Sequence, residues 1–503
     1  MKRIYRILSL ILCLMLSLSF FTACKEKEAI LTPDYSESKK EFDIWAYQAT
    51  CNGWFQERGK DGILRRQEAP QYPVPVENEE TIKTYKDAGF NTLFITYSHQ
   101  FDGRDFENSD AKKLMDIAHA QGLKCFVFEI VTYQLSRTGE TLINPQKADG
   151  KNFFNTQEEL NAYVADVVKD VIKHPAFYGF SLRDEPSYVQ MISIGQVYKA
   201  IQAAAPGCFC NMNMYPMPTK GHNIFVPGGQ QMTAEVAYTK HLEHYLEVTG
   251  AKHVQYDDYP LGGTAEKPTV DGMHLAGLKL TAEFCRDNGL RFNKVFQTTA
   301  FEKAKGPICR KNTKTDMYWQ LNLGMAFGIK NFSYWTYYPV INTAGEYYDV
   351  TASFLNRYGE KNEIYHWMSD IHPQMQKMAK ALMNFEYQGM QIFNSENLPG
   401  VSAYAEYVQS TDTFKRLGEY TVDGEGTLVI TELYDEGAGF YGYYLVNASD
   451  PTIDTTLSFE LDFGTFNFAQ TYRNGEVENQ RTEKGKYANT LKTGEGVFVI
   501  PYK

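Results

Sequence analysis

Eight short apolar runs, each followed by a longer amphipathic stretch, occupy residues 42 to about 340 of this 503-residue chain and constrain its fold more than any other feature. The runs are FDIWAYQA (42 to 49), FNTLFITY (90 to 97), KCFVFEIV (124 to 131), FYGFSL (177 to 182), CFCNMNMY (208 to 215), HVQYDDY (253 to 259), KVFQTTAF (294 to 301) and NFSYWTYY (331 to 338). They are rich in β-branched and aromatic residues and nearly continuous rather than alternating, the pattern of parallel strands covered on both faces. The stretches between them have helical period. The clearest opens with the capping-box sequence Thr156-Gln157-Glu158-Glu159 and continues through Leu160, Val164, Val167, Val168, Val171 and Ile172 before Pro175. Others run from Glu79 to Ala88, Ala111 to Gln121 and Leu275 to Asn288. Each of these three meets a glycine (Gly89, Gly122, Gly289) and then the next apolar run, so the chain turns directly from helix into strand.

Eight strands each followed by a crossover helix predict a (β/α)8 TIM barrel. An open doubly wound sheet would place a phosphate loop after its first strand, and Cys51-Asn52-Gly53-Trp54 is no GxGxxG. A mostly helical stretch from Phe354 to about Phe385 completes the outer ring. Beyond it GTLVITELYD, GFYGYYLVNAS, TTLSFELDF and GVFVIPY show period-2 alternation with Gly, Asn and Asp between them, which predicts a small antiparallel β-sandwich expected to cap the barrel.

The first residues read as an address. Lys2, Arg3 and Arg6 precede an uncharged run from Ile7 to Phe21, and small residues follow. These are the marks of a secretory signal, and the run is short for a membrane-spanning helix. Thr22-Ala23-Cys24 resembles a bacterial lipoprotein lipobox, with Phe21 in place of the usual Leu, and the resemblance implies that Cys24 is lipidated. The expected organisation is a signal peptide over 1–24, a polar tether over 25–41, the barrel over 42–385 and the β-sandwich over 386–503. The expected location is the cell envelope, with a membrane contact made through the lipid at Cys24. A formal net charge of -11 argues against a surface that neutralises phosphates, so nucleic acid is excluded as a partner. Six cysteines remain after Cys13 and Cys24, with neither a CxxC pair nor zinc spacing, so most read as buried thiols and no metal or cofactor is expected.

Active sites of such barrels lie at the C-terminal ends of the strands. Polar residues fall there in number: Tyr97, Ser98 and His99; Glu129; Arg183, Asp184 and Glu185; Asn211, Asn213 and Tyr215; Asp257, Asp258 and Tyr259; Gln297; and Trp335, Tyr337 and Tyr338. Glu185, after an apolar strand and before Pro186, is fixed in place. Burial beside Asp184 would raise one of the two pKa values, as a general acid at neutral pH requires. The competing reading is a rim salt bridge between Glu185 and Arg183. Trp335, at a strand end, reads as an exposed stacking face or a core filler, and Trp45 carries the same two alternatives. His99, His241 and His244 read as rim or solvated histidines, and Asn211 and Asn213 share one face by strand parity.

The segment Tyr178-Gly-Phe-Ser-Leu-Arg-Asp-Glu-Pro186 and its neighbours resemble the superfamily of retaining (β/α)8 glycoside hydrolases that includes families 5 and 42. The resemblance spans roughly residues 42 to 385. It implies Glu185 as acid/base, Tyr259 or Tyr256 as the strand-6 tyrosine that positions the nucleophile, and Trp335 as the residue that stacks on sugar. Two positions depart from the pattern: Asp184 stands where the family has Asn, and strand 7 carries Gln297 where the nucleophilic glutamate belongs. A second carboxylate would come from Asp257 or Asp258, with Glu302 and Glu129 further candidates. Two carboxyls about 5 to 5.5 Å apart serve retention and about 6.5 to 9.5 Å inversion. The expected function is hydrolysis of a β-linked glycan with Glu185 as proton donor, with Tyr97, Trp45, Glu129, Asn213 and Gln297 around the sugar. The alternative is a glycan-binding surface lipoprotein whose barrel has lost its nucleophile.

Overall fold

The computed structural model describes residues 32–49, 54–58, 64–68, 78–97, 106–143, 154–218, 220–303, 306–340, 346–349, 351–356, 359–394 and 413–503. Cys24, Ser98 and His99 lie outside the described residues.

Eight parallel strands form one sheet: β1 (Asp43–Ala46), β2 (Thr92–Tyr97), β3 (Lys124–Glu129), β4 (Phe177–Asp184), β5 (Phe209–Met214), β6 (His253–Asp257), β7 (Arg291–Gln297) and β8 (Asn331–Trp335). Each lies beside its neighbour in sequence, and β1 pairs with β8 in parallel register from Asp43↔Asn331 to Ala46↔Tyr334. The seam between β1 and β2 is closed by one backbone bond, Asn91 N–H to Ile44 O at 3.1 Å, and by side chains. Asn91 accepts from Ile44 N–H at 2.8 Å and donates to Phe42 O at 2.9 Å, and Tyr85 Oη bridges Ala46 N–H and Thr92 O. The fold is a (β/α)8 barrel.

Helices α1 (Glu79–Asp87), α2 (Asp110–Ala120), α3 (Ile130–Ser136), α4 (Gln157–Val168), α5 (Met191–Ala204), α6 (Ala234–Thr249), α7 (Met273–Asn288), α8 (Lys314–Ala326) and α9 (Glu363–Leu382) make the outer ring. Thr156 caps α4 by accepting from Glu159 N–H, but the Glu159 carboxylate reaches Asn155 N–H at 2.7 Å instead of Thr156, so the box is offset by one residue. Most strand ends differ from the sequence expectation, and three of them bear on the site. β3 stops at Glu129 because its carboxylate accepts Thr132 N–H at 2.6 Å and starts α3 there. β6 ends at Asp257. β7 stops at Gln297, whose N–H and C=O are taken by the side chains of Gln320 and Asn312, while Phe301–Lys303 joins a separate small sheet.

The barrel interior is layered. At the N-terminal end, buried Asp43 holds Lys124, Arg291 (3.0 Å) and Tyr178 Oη (2.6 Å). Above it Trp45, Tyr47, Phe126 and Val295 pack with Phe94, Tyr178, Phe209 and Trp335. Asn211, Asn213, Gln255 and Asp257 form a polar layer at the C-terminal end. Burying both faces of every strand is what produces the continuous apolar runs.

The remaining chain forms two antiparallel sheets. Six strands, β9 (Glu386–Phe393), β11 (Leu428–Asp435), β12 (Phe440–Asn447), β14 (Phe468–Arg473), β15 (Glu476–Arg481) and β17 (Gly496–Tyr502), face three, β10 (Tyr420–Asp423), β13 (Thr456–Asp462) and β16 (Lys486–Lys492). Leu428, Ile430, Leu445, Leu457, Leu461 and Val497 are among the residues of the core between them. This sandwich lies against the helix ring rather than over the barrel mouth. Trp319 Nε1 on α8 donates to Ala448 O, Tyr444 Oη donates to Asn322 Oδ1 at 2.7 Å, and Phe385 meets Phe498 edge-on. Residues 33 to 35, expected within the tether, are packed on it: Gln470 donates to Pro33 O and Tyr35 Oη to Asp435 Oδ2, both at 2.8 Å.

Candidate active site

The site at the barrel mouth depends on one bulge. Along β4 and β5, Ser181 pairs with Asn211, but Arg183 pairs with Met212 and Asp184 with Asn213, so Leu182 is an extra residue. Paired residues of parallel strands share a face. Regular pairing would have put Arg183 opposite Asn213, pointing inward; the bulge sends it outward and Asp184 inward. Arg183 accordingly donates to Tyr133 Oη on α3 at 2.6 Å and lies 5.0 Å over that ring. Asp184 is exposed at the mouth, and its Oδ1 accepts the Asn213 side-chain N–H at 2.9 Å. The next residue, Glu185, is half-buried with φ +43 and donates its N–H to Asn213 O at 2.7 Å. A left-handed backbone at a non-glycine residue costs on the order of 1 kcal/mol, and such strain concentrates at functional positions.

Asp257, at the end of β6, faces the same space. It is 6% exposed; its Oδ2 accepts from Tyr259 Oη at 3.0 Å, and its Oδ1 has no hydrogen-bond partner among the described residues. Burial and then the charge of Asp184 push its pKa up to about 7, against the pull of Tyr259, Asn213 and Lys294. The Asp184 carboxyl is raised too. Solvent reaches it, but the walls of the mouth displace much of the surrounding water, while Asn213 and Arg183 act in the opposite direction. Tyr215 and Tyr259 are likewise held above the ordinary phenol value, first by burial and then by the charges of Asp184, Glu185 and Asp257. Tyr47 Oη, deeper in the barrel, accepts from Gln255 at 3.4 Å. Among the described residues several buried polar atoms of this layer have no hydrogen-bond partner: Asp257 Oδ1, Asn213 Oδ1, Gln255 Oε1 and both amide atoms of Asn211. Groups so buried are satisfied by water or by a ligand's polar groups.

The structure thus brings Asp184, Glu185, Asn213, Asp257 and Tyr259 together. Tyr215, Tyr47 and Gln255 join them; Tyr47 and Gln255 carried no signal beyond strand parity. Of the two tyrosines at the end of the sixth run only Tyr259 faces this space; Tyr256 is buried outside the barrel, stacked on Phe292.

Other candidates lie elsewhere. Asp258, one residue past Asp257, turns to the helix ring and pairs with His274 Nδ1 at 2.5 Å and Lys294 Nζ at 3.9 Å. These partners hold it below the usual carboxylate range although burial opposes them. Tyr97 is on the outward face of β2, against Phe106 at 5.5 Å. Glu129 is fully buried as the cap of α3. Gln297 is also fully buried; its amide accepts from Leu261 N–H and donates to Leu261 O and Arg310 O. Trp45 is 2% exposed in the aromatic layer, stacked on Phe94 at 5.9 Å. Trp335 is half-buried beside Tyr47. The side chain of Glu302 lies outside the described residues.

The molecule is therefore a (β/α)8 barrel with a carboxylate-bearing mouth and an attached β-sandwich. No family model matches the chain, and no curated protein does. Solved structures similar to it include a GH30 endoxylanase from Clostridium papyrosolvens C71 (11% identity, TM-score 0.42, covering 92% of this chain and 96% of that one). An Anoxybacillus alpha-amylase is similar at 10% identity and TM-score 0.44 (94% and 99% covered). A family 39 glycoside hydrolase from Bacteroides cellulosilyticus WH2 is similar at 9% identity and TM-score 0.43 (86% and 79% covered). Likenesses this distant carry no argument about activity.

Proposed function

We propose that the barrel mouth hydrolyses a glycosidic bond of a β-linked glycan, with Glu185 donating the proton to the leaving oxygen. The observation that carries this reading is the arrangement of Asp184, Glu185 and Asp257 around one opening. Beside it stand Tyr215, Tyr259 and Trp335 and a set of buried polar atoms with no partner among the described residues. Unspent acceptors and amides beside aromatic faces are what a polyhydroxylated ring requires. A base whose pKa lies near the working pH is the most effective, so Asp257, at about 7, suits activation of a water. With Gln297 fully occupied by backbone groups, β7 presents no carboxylate nucleophile, and attack by water would invert the anomeric centre. The same sequestered Gln297 favours a second reading, in which the mouth binds glycan without cleaving it. The signal sequence ending at Cys24 supports a surface-tethered protein in both readings.

The test is chromatography of β-linked oligosaccharides incubated with the protein and with Glu185→Gln. Products formed by the wild type alone support hydrolysis, and proton NMR of the first anomer released shows inversion or retention. Calorimetric binding with no product would establish the binder. Neither binding nor product would remove the carbohydrate reading altogether.

A further inference from the structure

Far from the mouth, at the start of β5, two cysteines lie on the strand face that looks toward the helix ring. Cys208 Sγ and Cys210 Sγ are 3.5 Å apart, in contact but unbonded. Gln202 on α5 serves both: its Nε2 is 3.3 Å from Cys210 Sγ and 3.7 Å from Cys208 Sγ, and it donates to Cys208 O at 2.9 Å. The sulfurs are unequal. Cys208 follows Gly207, whose φ is +78, just ahead of the regular strand, and is half-buried; Cys210 is 1% exposed.

We propose that Cys208 and Cys210 form an oxidisable dithiol that hydrogen peroxide converts to a disulfide. A disulfide needs its sulfurs at about 2.05 Å and its Cα atoms within roughly 6.8 Å, and alternate residues of a strand are separated by about 6.6 Å. The contraction is therefore small, and it falls on Cys208, which the ladder does not hold. Contact with the Cys210 thiol lowers the pKa of Cys208, whereas burial drives that of Cys210 well up, so the accessible sulfur is also the better source of thiolate. In the first step the Cys208 thiolate attacks one peroxide oxygen; an S–O bond forms, the O–O bond breaks, and the displaced oxygen leaves as water after taking up a proton. In the second the Cys210 sulfur attacks Cys208; the S–S bond forms, the S–O bond breaks, and the Cys210 proton leaves with the second water. Two electrons pass from the sulfurs to one peroxide.

Both cysteines, and no others, fall in the tryptic peptide Ala200–Lys220. The full chain is treated with hydrogen peroxide, alkylated with iodoacetamide after unfolding, digested and weighed. The expected peptide has lost two hydrogens and carries no alkyl group, and dithiothreitol before alkylation restores two alkyl groups. Buried Cys125 and Cys285 are expected to stay reduced in the same sample. In Cys210→Ser, dimedone is expected to capture a sulfenic acid at Cys208. A peroxide-treated peptide that still takes two alkyl groups overturns the proposal. So does stable oxygen addition at Cys208 in the wild type, or equal oxidation of Cys125 and Cys285.

Discussion

Asn213 donates its side-chain N–H to Asp184 Oδ1 at 2.9 Å, a contact that exists because the extra residue Leu182 turns Asp184, and not Arg183, toward the barrel axis. The main-chain carbonyl of Asn213 also receives the N–H of Glu185, so one residue of β5 holds both acids at the end of β4. Removing that side chain in Asn213→Ala is expected to raise the Asp184 pKa further and to lower kcat/KM on any cleaved glycan by roughly 10- to 100-fold. The accompanying loss of stability should be on the order of 1 kcal/mol, the net worth of one hydrogen bond. Steady-state kinetics and urea unfolding of the same preparations check both.

Glu185 has φ +43, which glycine adopts without strain. Glu185→Gly is therefore expected to abolish turnover while raising stability by up to about 1 kcal/mol. Glu185→Gln should abolish turnover with little change in Tm. A Glu185→Gly protein less stable than wild type in denaturant titration would contradict the strain.

The pH dependence of stability follows from Asp257. Its folded pKa of about 7 lies above the unfolded carboxylate value, so the folded state binds the proton more tightly. The stability this provides is complete below about pH 4 and is lost as pH rises toward and through 7. Asp257→Asn should remove this slope, so the variant gains on the wild type between pH 5 and pH 8 by on the order of 2 kcal/mol. Urea titrations at the two pH values measure it. An unchanged difference would place the Asp257 pKa in the ordinary range.

Restoring a glutamate at position 297 should not create a retaining enzyme. The Gln297 amide donates to Leu261 O and Arg310 O, which an ionised carboxylate cannot do. Gln297→Glu is expected to lose roughly 2 to 4 kcal/mol of stability and to form no covalent intermediate with a fluorinated glycoside, as read by mass spectrometry.

The two tryptophans should separate by assay. Trp45 lies in the aromatic layer, so Trp45→Ala is expected to cost about 3 to 5 kcal/mol of stability. Trp335 is half-buried by the mouth, and Trp335→Ala should weaken oligosaccharide affinity several-fold with a smaller loss of stability. Calorimetric titration and thermal melts of both variants decide.

Much of the barrel was legible because parallel strands buried on both faces leave near-continuous apolar runs, and glycine stops such as Gly122 and Gly289 mark where helix gives way to strand. The sandwich was legible only in part. Glu476–Arg481 is exposed along both faces and Lys486–Lys492 turns only Tyr487 and Leu491 fully inward, so their membership rests on pairing with other strands. Position at a strand end was a fair guide to the mouth, but orientation was not. Asp257 and Asp258 are adjacent and chemically alike, yet alternation sends one to the mouth and the other to His274. Tyr97 and Glu129 end their strands on the outward side.

The amino-acid order alone determined the eight-fold repeat of strand and helix and the crowding of acids just after the fourth run and at the end of the sixth, because burial and helical period act over a few residues at a time. Only the tertiary structure decided which of those acids meet. That choice turns on a single-residue slip between β4 and β5, on which face each strand end presents, and on the backbone groups that claim the Gln297 amide. Those are pairings between distant segments, and no local stretch of sequence records them.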